Sequence, residues 1–206
     1  MAVETGLRGR QKRRRRADIT AAGRQLFVEQ GYDVTSMEVI AELAEVSVAT
    51  VYNYFGTKGR LLAAIMQIDV AALFEQGEAV LAQPPDAPPS GVLSLMDIYQ
   101  KLQDNWEHKD MLIAVMGPGL SAEPALDELA SDTENMVKKQ LETLLSSYQQ
   151  MGKVRSGIDI NDAALIIFYI FNQHFIQYIS QEIVGFSEMK VAMDRHIRFV
   201  VSAILD

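Results

Sequence analysis

Hydrogen-bonding side chains are concentrated between Ser47 and Leu62, in the stretch SVATVYNYFGTKGRLL. Two tyrosines, an asparagine, two threonines and a lysine stand there among a few apolar residues. Hydroxyl and ammonium groups donate hydrogen bonds to phosphate oxygens, and asparagine can pair with the edge of an adenine. These residue types favour a surface that binds nucleic acid. The alternative is ordinary packing, with Ser47 and Thr57 as helix caps and the tyrosines half buried.

Two short helices joined by a tight turn are predicted to carry this stretch. In the first, within TSMEVIAELA, Thr35 and Glu38 have the spacing of a capping box, and the helix ends near Ala44. After the turn AEVS, Ser47 caps the second helix, which runs to about Phe55. The pair has the spacing of a helix-turn-helix unit.

The second of these helices is predicted to have a buried face and an outward face. Val51 and Phe55 are four residues apart and belong on the buried face. The side chains that then point outward suit a DNA groove: Thr50, Tyr52, Asn53 and Tyr54. Ser47 and Lys58 stand at the two ends of the helix, where backbone phosphates would pass.

The charge is distributed unevenly along the chain. The formal net charge is −8, which by itself argues against nucleic acid. Residues 1–60, however, hold ten Lys and Arg against seven Asp and Glu, and RGRQKRRRR, from Arg8 to Arg16, has seven cations in nine residues. A basic N-terminal segment in an otherwise acidic chain predicts that this end of the protein binds a polyanion. For the basic run alone, the alternatives are a solvated, disordered tail or a targeting tail.

Helical periodicity recurs along the chain and strand-like alternation is almost absent, so we predict an all-α fold. An apolar set at helical spacing predicts a helix from Ala17 to Gly31. Thr57 caps a fourth helix, from Lys58 to about Leu81, and the four prolines of QPPDAPPSG predict a loop over residues 83–91. Later helices are predicted at about 92–107, 109–116, 122–151, 159–183 and 187–205.

The segment TSMEVIAELAEVSVATVYNYFGTKGRLL, from Thr35 to Leu62, resembles the DNA-binding signature of the TetR family of transcriptional repressors. The preceding ITAAGRQLFVEQGYDVTSM is similar to the first helix of that family. The resemblance covers about residues 15–65, and beyond them it is one of length and helix count. It implies an N-terminal three-helix helix-turn-helix DNA-binding domain followed by a larger helical ligand-binding and dimerisation domain.

The resemblance also implies which residues contact DNA. Thr35 or Ser36 and then Ser47 would bind phosphate at the two helix starts, and Tyr54 and Lys58 match the phosphate-binding aromatic residue and lysine of the family. The positions along the groove are Val48, Ala49, Thr50, Tyr52 and Asn53. Val48 and Ala49 offer only apolar contact, for instance to a thymine methyl group.

Two positions depart from the pattern of the family. Glu45 stands in the turn where glycine is usual, and a non-glycine residue in a left-handed conformation costs on the order of 1 kcal/mol. Gly59 stands in the first turn of the fourth helix, where other members often have glutamate. Neither departure removes the resemblance.

We therefore expect a disordered basic arm over residues 1–14, the helix-turn-helix domain over 15–60 and the effector-binding domain over 61–206. In the last of these, DAALIIFYIFNQHFIQYI is apolar nearly all round, which predicts burial on more than one side. Together with the final helix it is predicted to form a homodimer interface of two helices from each chain. The alternative is a central helix buried within a monomer.

A small-molecule pocket in the large domain is predicted to be lined by soft and aromatic side chains. The candidates are Trp106, Met111, Met116, Tyr148, Phe168, Asn172 and Phe175. Such a lining suits a neutral or cationic, mostly apolar effector. The alternative is that these residues are ordinary core.

Other classes of function have weaker support in the sequence. His108, His174 and His196 are scattered without the spacing of a metal site, and no cofactor motif is found, so we expect neither metal nor cofactor. The absence of cysteine and of a secretory signal predicts a cytoplasmic protein. A peripheral membrane protein using the basic N-terminal helix is the second hypothesis, and a helical enzyme using Trp106, His108 or His174 is the third.

Overall fold

The fold is described from a computed structural model over residues 6–102, 111–113, 123–180 and 185–206. Within these ranges the secondary structure is helical, apart from an isolated β-bridge between Val154 and Leu205. The helices are α1 (Leu7–Gln30), α2 (Met37–Leu43), α3 (Val48–Phe55), α4 (Lys58–Ala82), α5 (Pro88–Gln100), α6 (Pro124–Gln150), α7 (Ile160–Ser180) and α8 (Phe186–Ala203). The prediction of an all-α fold is confirmed.

The chain divides into two compact units. The first consists of residues 1–68 and 106–129, and the second of residues 69–105 and 130–206. One division therefore falls within α4 and the other within α6. The sequence had assigned every residue beyond 60 to the larger domain, because nothing in its pattern showed that residues 106–129 group with the N-terminal helices.

The core of the first unit is built from the apolar faces of α1 to α4. Its fully or nearly buried side chains include Ile19, Leu26, Phe27, Ile40, Val51, Leu61 and Ile65. Gly23 lets α1 approach α4 closely, since a Cβ at that position would lie 3.0 Å from Cδ2 of Leu61. Helices α1 to α3 and the first part of α4 thus form one packed body.

Helix α1 begins ten residues earlier than its apolar pattern predicted. It starts at Leu7 rather than near Ala17, so the basic run from Arg8 to Arg16 is helical and exposed apart from Gly9. The prediction of a disordered arm is therefore wrong for residues 7–14. Arginine and lysine are good helix formers, and a helix already fixed by its packed end extends at little cost.

The second unit packs the later helices around a core that includes Leu95, Met96, Leu141, Leu145, Ile167 and Ile197. Inside it, the hydroxyl of Tyr99 donates to Oε1 of Gln140 at 2.6 Å, and Nε2 of Gln140 donates to Oε1 of Glu78 at 2.6 Å. Burial raises the pKa of the Tyr99 hydroxyl, and the charge of Glu78 raises it further. This network satisfies polar groups that would otherwise oppose burial.

Helix α5 begins at Pro88, inside the segment that the sequence predicted as a loop up to Gly91. Proline is tolerated in the first turn because the backbone N–H groups there have no partner within the helix. The prolines therefore start this helix instead of extending the loop. Among the described residues, no helix combines the length and the apolar character needed to cross a membrane.

Candidate nucleic-acid interface

The start of α2 is capped by Ser36 and not by Thr35. The Ser36 hydroxyl accepts a hydrogen bond from the backbone N–H of Val39 at 3.4 Å. Thr35 is 2% exposed, and its hydroxyl donates to the carbonyl oxygen of Gly31 at 2.7 Å. The predicted capping box of Thr35 and Glu38 is thus wrong: Ser36 caps the helix alone, since the third helical residue is Val39, and the Thr35 hydroxyl is buried. Packing of Thr35 against the end of α1 decided this, and the local pattern could not show it.

Glu38 interacts with the capping residue Ser36. Hydrogen bonds from its own backbone N–H and from the Ser36 hydroxyl lower the pKa of its carboxyl group. A carboxylate in the first turn of a helix also interacts favourably with the helix dipole. Ser36, half exposed at the start of α2, remains the phosphate-binding candidate at this end of the unit.

The turn between α2 and α3 places Glu45 in the left-handed region, with φ of 53°. Around it, the N–H of Val46 donates to the carbonyl oxygen of Ala41 at 3.0 Å and the N–H of Glu45 donates to that of Glu42 at 3.1 Å. These bonds close the last turn of α2 in the way that usually calls for glycine. The sequence-based expectation of a left-handed residue at Glu45 is confirmed.

Helix α3 is capped and packed as predicted. The Ser47 hydroxyl accepts from the N–H of Thr50 at 3.2 Å, and Val51 and Phe55 are 0% and 5% exposed. The guanidinium carbon of Arg16 lies 4.7 Å from the centre of the Phe55 ring, so the basic run of α1 ends against the buried face of α3. The sequence offered no sign of this contact, because the two residues are far apart in the chain.

The outward side of α3 carries the predicted DNA-contacting side chains. Ser47, Ala49, Tyr52 and Asn53 are exposed, whereas Val48, Thr50 and Tyr54 are half buried. The Ser47 and Thr50 hydroxyl oxygens are 2.8 Å apart. The helix therefore presents hydroxyl groups at its start and an amide with a phenol in its middle, which is the arrangement that can bind phosphates and base edges.

Lys58 has a role that the sequence did not predict. Its ammonium donates to the carbonyl oxygens of Tyr32 at 2.7 Å, Thr35 at 3.0 Å and Asp33 at 3.3 Å. It also lies 4.3 Å from the centre of the Tyr32 ring. All three donors of the ammonium group thus face the α1–α2 connection, and binding a phosphate would require some of these bonds to break. The predicted Thr57 cap of α4 is confirmed, because its hydroxyl accepts from the N–H of Arg60 at 3.1 Å.

The predicted effector-binding residues that the structure describes belong to both units. Tyr148, Phe168, Asn172 and Phe175 belong to the second unit, and Met111 to the first. Tyr148 is fully buried, with its hydroxyl donating to the carbonyl oxygen of Pro85 at 2.6 Å. Phe168 and Phe175 are also buried, and Asn172 is half exposed. Trp106 and Met116, like His108, lie outside the described residues.

His174 and His196 form a pair that the sequence treated as unrelated. Nε2 of His174 lies 2.9 Å from Nδ1 of His196, across α7 and α8. Partial burial lowers the pKa of His174, and the charges of His196 and Arg195 lower it further. In the described part of the chain, no group of three or more acidic or histidine side chains has the arrangement of a metal site.

Helices α7 and α8 bury one face and expose another that is still partly apolar. Phe171 and Ile197, which the sequence suggested for a dimer interface, are 5% and 0% exposed within a single chain. The large apolar side chains left exposed on these helices are Ile166, Tyr169, Val191 and Phe199. If α7 and α8 contact a second chain, these outward residues are the ones available for it.

Comparison with known proteins identifies relatives of the chain. A profile of the bacterial regulatory proteins of the tetR family matches residues 19–65. The HTH-type transcriptional repressor NicS of Pseudomonas putida is 28% identical over 184 residues, which cover 83% of this chain and 82% of NicS. NicS is a transcriptional repressor, and this relative lends no support to the enzyme hypothesis.

Solved structures show the same fold. A TetR transcription regulator from Haloarcula marismortui matches with a TM-score of 0.75 and 17% identity, covering 94% of this chain and 100% of that one. FadR of Thermus thermophilus, a transcriptional repressor solved with lauroyl-CoA, matches with a TM-score of 0.68 and 20% identity, covering 93% and 95%. These likenesses extend over the second unit, for which the sequence analysis had only a resemblance of length and helix count.

Proposed function

Because the chain belongs to the TetR family of transcriptional regulators, we propose that it is a repressor that binds a palindromic operator as a homodimer and is released by a small, mostly apolar effector. The observation that carries this proposal is the geometry of α3. Its inner face is fixed by Val51 and Phe55, and its outer face carries exposed Tyr52 and Asn53 beside a serine-capped start. A rigid helix with such a face can enter a major groove.

Three parts of the first unit would share the work of binding. Asn53 and Tyr52 would contact base edges, with Val48 and Ala49 against thymine methyl groups. The hydroxyl groups of Ser36 and Ser47 would bind phosphates and set the register. The exposed cations of α1 would add attraction that does not depend on sequence and that weakens with salt.

A homodimer follows from the needs of operator recognition. One α3 reads only a few base pairs, and two copies related by a two-fold axis bind two half-sites about one helical turn apart. The exposed apolar side chains Tyr169 and Phe199 support α7 and α8 as the dimer interface, since exposed apolar patches mark interaction surfaces. A two-fold interface buries the same face on both chains.

The effector is proposed to be mostly apolar. The second unit has an interior rich in aromatic, methionine and leucine side chains, and FadR of Thermus thermophilus was solved with lauroyl-CoA, a ligand with an apolar acyl chain. Effector binding would act by favouring an arrangement of the dimer in which the two α3 helices no longer match successive major grooves. Helix α4 contributes residues to both units and would carry that change.

Selection of bound sequences from random duplex DNA tests the proposal. We expect enrichment of a two-fold symmetric site, lost in Asn53→Ala and kept in Asn135→Ala, which changes an exposed asparagine of α6. A panel of acyl-CoA thioesters, free fatty acids and lipophilic cations would then be screened for release of the selected DNA. Binding to anionic vesicles without preference for any duplex would contradict the proposal and support the membrane alternative.

A further inference from the structure

The side chain of Glu123 packs against Gly59 in the first turn of α4, in the space that a Cβ at position 59 would occupy. A Cβ built on Gly59 would lie 2.3 Å from Cγ of Glu123 and 3.0 Å from its Cβ and Cδ. The 2.3 Å separation is shorter than real Cβ contacts and the two at 3.0 Å are tight, so a residue with a Cβ at position 59 would displace the side chain of Glu123. Gly59 is itself buried, and the Glu123 side chain is 20% exposed. The two residues therefore form a close contact inside the first unit.

The carboxylate of Glu123 supplies a negative charge that α4 lacks. No acidic residue stands in the first turn of α4, although a helix N-terminus favours one. Oε1 of Glu123 lies 3.9 Å from Nε of Arg60 in that turn. Its charge also reaches Tyr32, whose pKa is raised first by partial burial, then by Glu123 and then by Asp33. A glutamate far away in the chain thus occupies the place beside Gly59.

The same turn of α4 anchors the connection that leads into α2. Lys58 precedes Gly59 and holds the carbonyl oxygens of Tyr32 and Thr35. Arg60 follows Gly59, and its N–H is capped by Thr57. A displacement of this turn would therefore move the start of α2 and the connection from α3 to α4 together.

We propose that Glu123 is a positioning residue for DNA recognition: seated on Gly59, it fixes the first turn of α4 and through it the orientation of α2 and α3. This inference rests on the proposed function. Glu123 immediately precedes α6, the helix that continues into the second unit, so the contact is also a point at which that helix can act on the DNA-binding helices.

The test is a double-substitution cycle on the full chain, with the ratio of affinities for the selected operator and for random duplex as the readout. Glu123→Ala removes the side chain that packs on Gly59, and Gly59→Ala displaces that side chain by adding a Cβ. Each is expected to lower the ratio about tenfold, as coupling residues that do not touch the ligand can do. Because both changes disrupt one contact, Gly59→Ala with Glu123→Ala should lower the ratio no further than either alone.

Two further variants separate positioning from folding. Glu123→Gln keeps the stem and should retain more of the operator preference than Glu123→Ala. Glu128→Ala removes an exposed carboxylate of α6, the helix that Glu123 precedes, and should leave the ratio unchanged. Thermal unfolding midpoints of all variants are measured alongside, and the expected loss of preference appears in Glu123→Ala without a matching loss of stability.

The possible results distinguish a positioning role for Glu123 from a structural one, and both from a failure of the proposed function. An unchanged affinity ratio in Glu123→Ala would overturn the inference. So would a double variant in which the two reductions of the ratio add. In either case, a wild-type preference for the operator would leave the proposed function in place. A loss that follows the unfolding midpoints across all variants would show a structural role only. A wild-type protein without any preference among duplexes would overturn the proposed function itself.

Discussion

The ammonium nitrogen of Lys58 lies 2.7 Å from the carbonyl oxygen of Tyr32 and fastens the start of α4 to the connection between α1 and α2. Two further carbonyl oxygens, of Thr35 and Asp33, accept from the same group. From the family resemblance, Lys58 was expected to bind a DNA phosphate. In the structure it holds together the elements that present α3.

The first prediction follows from that arrangement. Lys58→Ala leaves three carbonyl oxygens without their shared donor, so we expect the free energy of unfolding to fall by about 1–3 kcal/mol. The slope of log operator affinity against log salt concentration should equal that of the wild type, because a lysine bonded to carbonyl oxygens releases no counterion when DNA binds. Chemical denaturation and a salt titration check the two parts. A slope lower by about one, with stability unchanged, would instead favour the phosphate contact.

The second prediction concerns the left-handed Glu45. Glu45→Gly should raise the free energy of unfolding by about 1 kcal/mol, because glycine adopts this conformation without strain. Glu45→Gln removes the charge but keeps the strain, so any gain in DNA affinity that it shares with Glu45→Gly is electrostatic. Glu42→Gly, at an exposed position inside α2, is the control and should destabilise by about 1 kcal/mol. A destabilised Glu45→Gly would show that the turn differs in solution.

The third prediction concerns the helical basic run. Deleting residues 1–13 should reduce the affinity for every duplex and lower the salt slope, while the unfolding midpoint stays nearly unchanged. The reason is that, apart from Gly9, the described residues removed are exposed, and the Arg16 contact with Phe55 and the buried face from Ile19 remain. Calorimetry and binding at several salt concentrations measure both effects. A large drop in the midpoint would mean that the run contributes to the fold.

The fourth prediction separates the dimer face from the core. Phe199 is 76% exposed, so Phe199→Asp should produce a folded monomer that no longer binds a two-fold operator. Ile197, two residues away, is fully buried, and Ile197→Asp should unfold the second unit. Light scattering and circular dichroism distinguish the outcomes. A wild-type monomer at micromolar concentration would contradict the proposed assembly.

The fifth prediction is a pH dependence from the histidine pair. Burial and the neighbouring charges of His196 and Arg195 lower the pKa of His174 in the folded state. The unfolded chain then binds more protons than the folded one as the pH falls below 6.5, the ordinary pKa of histidine, so stability is lost from that pH downward until the lower folded-state pKa is reached. His174→Gln should remove part of this loss. Equal loss in the variant and the wild type between pH 7.5 and about 5.5 would exclude the pair as its source.

The sequence was sufficient for the features that depend on neighbours along the chain. Helical periodicity gave the all-α fold, and Ser47, Val51 and Phe55 showed the cap and the buried face of α3 because cap and spacing are local. The left-handed turn at Glu45 was expected from the family resemblance, because glycine is usual at that position, and the structure has Glu45 at φ 53°.

Tertiary structure decided everything that depends on residues distant in the chain. It buried Thr35 against the end of α1, turned Lys58 toward three carbonyl oxygens, paired His174 with His196 and placed Glu123 on Gly59. It also determined which apolar side chains of α7 and α8 are buried and which are exposed. A helix that is apolar nearly all round does not reveal this from its sequence. Local pattern fixes the conformation of a segment because backbone hydrogen bonds and caps are made within it. The partner of a side chain depends on how the segments pack, and packing is a property of the whole chain.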